Sequence, residues 1–126
     1  MAFNISGSTI IDNDRGLKRY GDTLNAVGNT GTSATLDLSQ GNFVTATLTG
    51  NCTFTFSNPT SGAFAFTLLL TNDSTSGRSI TWPASVLWPG GTVPTRTTTA
   101  NKSDVWTFFT VNSGTTWFGN IAQFNY

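Results

Sequence analysis

The residues able to do acid–base, nucleophilic or metal chemistry are few. The chain of 126 residues has six aspartates, no glutamate, no histidine and one cysteine, Cys52. General acid or base catalysis needs carboxylates or imidazoles held at a tuned pKa, and Asp12 and Asp14 are the only close carboxylate pair. A calcium loop of the helix–loop–helix type would need a glycine at its sixth position and a closing glutamate. Counted from Asp12, Gly16 falls one position early, and no glutamate exists. Asp12 and Asp14 therefore read as turn-initiating residues. The serines and Cys52 have no histidine to activate them, and Lys18 and Lys102 sit in no recognisable apolar segment. Gly90-Gly91 is followed by neither a helical pattern nor a Gly-Lys-Ser/Thr sequence, so it is not a phosphate loop. No catalytic, cofactor-binding or metal-ligating residue is expected, and the chain does not read as an enzyme.

The remaining signal is aromatic. Between Arg78 and Thr95 lie three of the four prolines, Trp82 and Trp88, and Gly90-Gly91. Proline removes a backbone donor, so Trp82-Pro83 and Trp88-Pro89 mark places where strand pairing stops on one side. The expected order is a short strand ending at Trp82, a bend, an extended piece from Val86 to Trp88, and a turn at Gly90-Gly91. A buried aromatic ring accounts for about 150–250 Å², and a soluble monomer seldom exposes a contiguous apolar patch above roughly 300–600 Å². All four tryptophans therefore cannot be displayed. Trp106 and Trp117, within strand patterns, are expected in the core. Trp82 and Trp88 are left with three roles: a core plug, a subunit contact, or a platform for a sugar ring.

The elements that must hold these rings have a strand-and-turn vocabulary, with threonine at roughly a fifth of the chain. Residues 1–31 carry Arg15, Lys18 and Arg19 and little regular apolar period, and read as an N-terminal arm with one short strand from Ser6 to Ile11 and a hinge at Gly28–Gly31. From residue 32 to 126 the period is two, broken by turn clusters. Phe43–Thr49 alternates Val44, Ala46 and Leu48 with threonines; Gly50-Asn51 is a turn signal, and Cys52–Phe56 begins again, which predicts a hairpin. Phe64–Leu70 and Asp104–Val111 are apolar on both faces and read as central strands covered on both sides. Thr95–Lys102 is an extended polar run with little to bury. The sum is an all-β, antiparallel, jelly-roll-like sandwich of seven or eight short strands after an extended arm, with no internal repeat.

Charge is sparse and balanced, with six Lys plus Arg against six Asp. Binding to nucleic acid or to an anionic membrane by counterion release needs a concentrated basic face, so neither partner is expected. Low net charge removes a safeguard against self-association, which makes a homo-oligomer plausible. No secretory signal or membrane-spanning stretch is apparent. The formal glycosylation triplets at Asn4, Asn51, Asn72 and Asn101 then carry no meaning.

The combination of Asp37, Ser39 and Gly41; Leu48, Gly50, Asn51, Thr53 and Phe54; Ile80, Trp82, Pro83, Val86, Trp88, Gly90, Gly91, Pro94 and Thr97; Asp104 and Phe108; and Gly114, Trp117 and Gly119 resembles a β-domain of virion structural proteins of tailed bacteriophages, especially phages of cyanobacteria and other aquatic bacteria. The likeness covers Thr35 onward, about three quarters of the chain. It implies a non-catalytic module displayed on the virion as a trimer, in contact with the major capsid protein or a tail component. Members often carry a long shaft, whereas only an arm precedes the domain here. A head-decoration or cement protein, or a small knob, is therefore expected, attached through Arg15, Lys18, Arg19 and Tyr20. The competing expectation is a tail-fibre or adaptor module that binds host surface glycan through Trp82 and Trp88.

Overall fold

The structure, a computed structural model, describes Phe3–Ile5, Ser8–Ile11 and residues 22–126. Its strands are β1 (Phe3–Ile5), β2 (Ser8–Ile11), β3 (Leu24–Asn29), β4 (Ser33–Asp37), β5 (Phe43–Leu48), β6 (Cys52–Ser57), β7 (Phe64–Asn72), β8 (Ile80–Thr81), β9 (Val86–Leu87), β10 (Ser103–Thr110) and β11 (Trp117–Gln123). Strands β1 and β2 pair with each other in a two-stranded ribbon. A six-stranded sheet runs β3-β5-β7-β10-β11-β9, and a three-stranded sheet runs β4-β6-β8. The molecule is all-β and sandwich-like, with eight strands, β4 to β11, from Ser33 onward.

Strand direction departs from the expected antiparallel, jelly-roll-like pattern. The pairings β3–β5, β5–β7, β4–β6, β6–β8 and β9–β11 are parallel, and only β7–β10, β10–β11 and the β1–β2 ribbon are antiparallel. From Leu24 to Thr81 the chain alternates between the two sheets, forming three stacked rungs, each a strand, an arch and a strand: β3–β4, β5–β6 and β7–β8.

This arrangement corrects the hairpin expected across Gly50-Asn51. Strands β5 and β6 lie in different sheets and turn Val44, Ala46 and Leu48 toward Cys52 and Phe54 across the core. Period-two alternation is the same whether a strand pairs with its successor or faces it, so the pattern alone does not separate hairpin from arch. The stack of arches decides it. Thr30 N–H donates to Thr47 O at 2.9 Å, Gly31 N–H to Thr49 Oγ1 at 2.9 Å, and Thr53 N–H to Thr32 O at 3.1 Å. A Cβ on Gly50 would lie 2.8 Å from Gly31 O, so the second arch sits on the first at a distance only glycine allows. Thr30-Gly31 and Thr49-Gly50 are thus one device used twice, a short repeat that strand rhythm alone concealed.

The domain boundary also moves. Leu24–Asn29, assigned by sequence to the arm, is the first strand of the six-stranded sheet, and Gly31 (φ +60°) turns an arch rather than a hinge.

The core lies between the sheets and is built from one face of each strand, including Leu36, Leu48, Phe54, Leu68, Trp106 and Phe108. Strand β7 is central in its sheet, as expected, but only one side is covered: Phe66, Leu68 and Leu70 are buried, whereas Ala65 and Leu69 are exposed. A two-layer sandwich leaves the outer face of each sheet to solvent, so β7 and β10 owe their two apolar faces to something other than the core.

Replacing Gly50 with Ala forces the stacked arches apart and is expected to destabilise the fold by about 1–3 kcal/mol. Urea unfolding of Gly50→Ala beside Gly62→Ala, whose added Cβ meets nothing within 4 Å but whose φ is positive, checks this. Equal losses in the two variants would contradict the stacking role.

Candidate functional site

The tryptophan–proline connection follows the expected course. Strand β8 ends at Thr81, β9 spans Val86–Leu87, and Trp88–Gly91 makes a tight turn closed by Gly91 N–H donating to Trp88 O at 2.9 Å, with Gly90 at φ 65° and Gly91 at φ 75°. The three-stranded sheet is too narrow to cover the six-stranded one, and this connection supplies the missing cover. Trp82 stacks on Phe54 at 5.2 Å and reaches Trp106 at 4.8 Å and Phe108 at 5.3 Å. Trp88 lies 5.7 Å from both Trp82 and Trp106. Phe56 meets Phe66, Phe108 and Trp117 edge-on, at 5.1, 5.0 and 5.5 Å. These spacings lie in the range where aromatic pairs attract beyond simple burial. Trp106 and Trp117 are buried, and Trp82 and Trp88 are half-buried against the same cluster. Gly119 is part of the seat: a Cβ there would come within 2.8 Å of the Trp88 ring and 2.9 Å of Phe108 and Val86.

A second construction holds the polar run after Thr95, and sequence reading missed it. Asn72 is buried at the end of β7 and donates from Nδ2 to Thr97 O at 3.0 Å and Thr99 O at 2.8 Å. Arg96 donates to Asn72 Oδ1 at 3.1 Å, to Thr97 O at 3.0 Å and to Arg78 O. Buried Asp104 accepts from Thr97 N–H at 2.8 Å and from Asn125 N–H at 3.0 Å. The run has little apolar surface to bury, yet its backbone is tied to buried side chains, which satisfies groups that would otherwise be costly to desolvate. Burial pushes the Arg96 guanidinium below its ordinary pKa, and the nearby Asp104 charge opposes this. Beside this network, Arg78 grips Asp73 with two hydrogen bonds, at 3.1 and 2.9 Å, and holds its carboxyl below the usual range.

These polar groups are used in holding loops. Cys52 is buried in β6, and desolvation raises its thiol pKa, the reverse of an activated nucleophile. Among the described residues, no group of three or more potential metal-ligating side chains comes together.

The surface that stands out is the outer face of the six-stranded sheet. It presents Phe43 of β5, Leu69 of β7, Phe109 of β10, Phe118 of β11 and Leu87 of β9, all exposed, with Thr45, Thr67 and Thr107 among them. Phe109 and Phe118 are stacked with centroids 5.0 Å apart, yet Phe109 remains 49% accessible. No charged residue lies on the outward positions of these strands. With strands about 4.8 Å apart and about 3.4 Å per residue, the face measures roughly 20 Å in each direction. Along its β9 edge, a groove of about 470 Å³ is lined by Leu87, Trp88, Pro89, Thr107, Phe109, Phe118, Gly119 and Asn120. Trp82 is absent from that lining, so the two predicted rings do not share a platform. Phe109 and Phe118, legible only as strand residues, contribute instead. A polar hollow of about 520 Å³ opens beside the 3-10 turn Leu38–Gln40, near Asp22 and Asn42.

The predicted attachment residues Arg15, Lys18, Arg19 and Tyr20, and the Asp12–Asp14 pair, lie outside the described residues. Compared with known protein families, curated proteins and solved structures, the chain matches none.

Trp82 and Phe109 should separate fold from surface. Trp82→Ala is expected to cost about 3–5 kcal/mol as a large-to-small core change, and Phe109→Ala no more than about 1 kcal/mol. Urea midpoints for the two variants decide it, and the opposite order would make Trp82 a displayed ring.

Proposed function

We propose that this protein is a non-catalytic structural component of a tailed-bacteriophage virion, a capsid decoration or cement protein or a small surface knob, whose β-domain packs and whose N-terminal segment attaches. The observation that carries the packing half is the uncharged outer face of the six-stranded sheet, where Phe43, Leu69, Phe109 and Phe118 stand exposed among threonines. Interface cores are depleted in charge and rich in aromatic residues, and a sheet face of this kind suits a trimer or a neighbouring virion protein. The virion half rests on the resemblance carried by residues from Thr35 onward. Its natural partners are further copies of itself and the major capsid protein or a tail component.

Attachment is assigned to Arg15, Lys18, Arg19 and Tyr20. Because β3 belongs to the sheet, cutting the arm away at residue 31 would damage the fold, so side-chain changes give the cleaner test. Replacing Arg15, Lys18 and Arg19 together by Ala should lower co-sedimentation with particles of the parent phage at least tenfold, while far-ultraviolet circular dichroism stays unchanged. Undiminished co-sedimentation would remove the arm from attachment.

A second reading is favoured by the groove beside β9, which sets the Trp88 edge and the stacked Phe109–Phe118 pair next to the polar side chains Asn120 and Thr107. An apolar groove with a few converging polar groups suits a sugar ring. On this reading the protein is a tail-fibre or adaptor module for host surface glycan, with Trp88 and not Trp82 in the site. Glycan-array binding that disappears in Phe118→Ala and in Trp88→Ala would support it, and an array without signal for the parent chain would reject it.

A further inference from the structure

The two sheets end very differently at their two sides. The last strands, β8 and β9, are two residues long, and each is followed at once by a Trp-Pro step. Short edge strands and proline are devices that stop further pairing. The first rung has neither. Strand β3 is six residues long and β4 five, without proline, lysine or arginine, and each is the terminal strand of its sheet. The ladder shows which backbone groups face outward. Phe43 N–H donates to Thr23 O and Thr53 N–H to Thr32 O, both at 3.1 Å. Parallel pairing alternates sides residue by residue, so Leu24 and Ala26 in β3, and Ser33 and Thr35 in β4, point their N–H and C=O groups away from the stack. Among the described residues no strand pairs with that side.

The arch at this end is also open. Gly50 sits on Gly31 at a glycine-only distance, but a Cβ on Gly31 would meet nothing within 4 Å. One more rung would need two short extended runs joined by a hydroxyl residue and glycine, as in Thr30-Gly31 and Thr49-Gly50. The chain contains a third such segment: Phe3–Ile5 and Ser8–Ile11 are strands, and Ser6-Gly7 joins them. Among the described residues of one chain these strands pair only with each other. A two-stranded ribbon is marginal by itself in water, so opening it costs little. Residues 12–23, which tether it, span about 40 Å when extended, enough to reach a neighbouring molecule.

We propose that residues 3–11 of one copy add to the outer edges of β3 and β4 of a second copy, forming a rung beneath the first. The contact is main-chain strand addition, by Phe3–Ile5 and Ser8–Ile11 on the open edges of β3 and β4. It names the partner as another copy of this chain and a surface distinct from the outer sheet face, so it stands whether or not the virion reading holds.

Full-length variants test it by complementation. Ile10→Pro blocks the donor segment, and Thr35→Pro removes an outward N–H from the acceptor edge; Ala26→Lys is a second acceptor variant that keeps every backbone group. Folding of each is checked by circular dichroism. In pull-downs between differently tagged chains, a donor-blocked and an acceptor-blocked copy should capture each other at least tenfold better than two donor-blocked or two acceptor-blocked copies. Association through the outer sheet face would give equal capture in every combination and would overturn the proposal. Absence of capture in the mixed pair, with both variants folded, would overturn it as well, because the segment would then serve its own chain or none.

Discussion

Everything in the fold depends on the close stacking of successive arches. With Gly50 packed against the Gly31 carbonyl and the Thr30 and Thr49 side chains bonded across the arches, β5 cannot fold back beside β6. It must pair with the strand of the previous rung, which makes the ladders parallel and gives each rung one strand in each sheet. The apolar faces of consecutive strands then meet across the interior. A parallel pair cannot be joined by a tight turn, and here the route through the opposite sheet provides the crossover.

The stack leaves an asymmetry that the tryptophan–proline connection resolves. Three rungs build only three strands of the second sheet, while β10 and β11 widen the first by antiparallel pairing. Phe56 covers part of the inner faces of β10 and β11, and Trp82 and Trp88, which lie over Trp106 and Phe108, complete the cover. The same prolines that stop strand pairing also let the backbone leave the sheet so that two large rings can fold inward. One short segment thus ends both sheets and completes the core. Asn72, Arg96 and Asp104 then fasten the polar run that leads into β10.

On the outer face of the six-stranded sheet the side chains left for outside contact are uncharged: aromatic, aliphatic, hydroxyl and amide. A surface of that chemistry suits packing and stacking. A face without charge carries no electrostatic barrier to a second molecule, and a sheet face with several exposed phenylalanines is costly to leave in water. The proposed assembly role rests on that surface chemistry, and the proposed virion setting rests on the sequence resemblance alone.

Much was legible in the residues themselves. Threonine-rich alternation and regular turn clusters determined an all-β sandwich, the prolines determined where β8 and β9 stop, and strand context determined that Trp106 and Trp117 are core. These are local properties, set by backbone sterics and by which face of a strand is apolar. Strand partners were not legible, since a period of two is the same for a hairpin and an arch, and only the distance between Gly31 and Gly50 in space chooses between them. Nor was it legible that Phe109 faces out and Trp82 faces in, because both follow from how much of one sheet the other can cover. Those features belong to the tertiary structure alone, which decides what each apolar face meets.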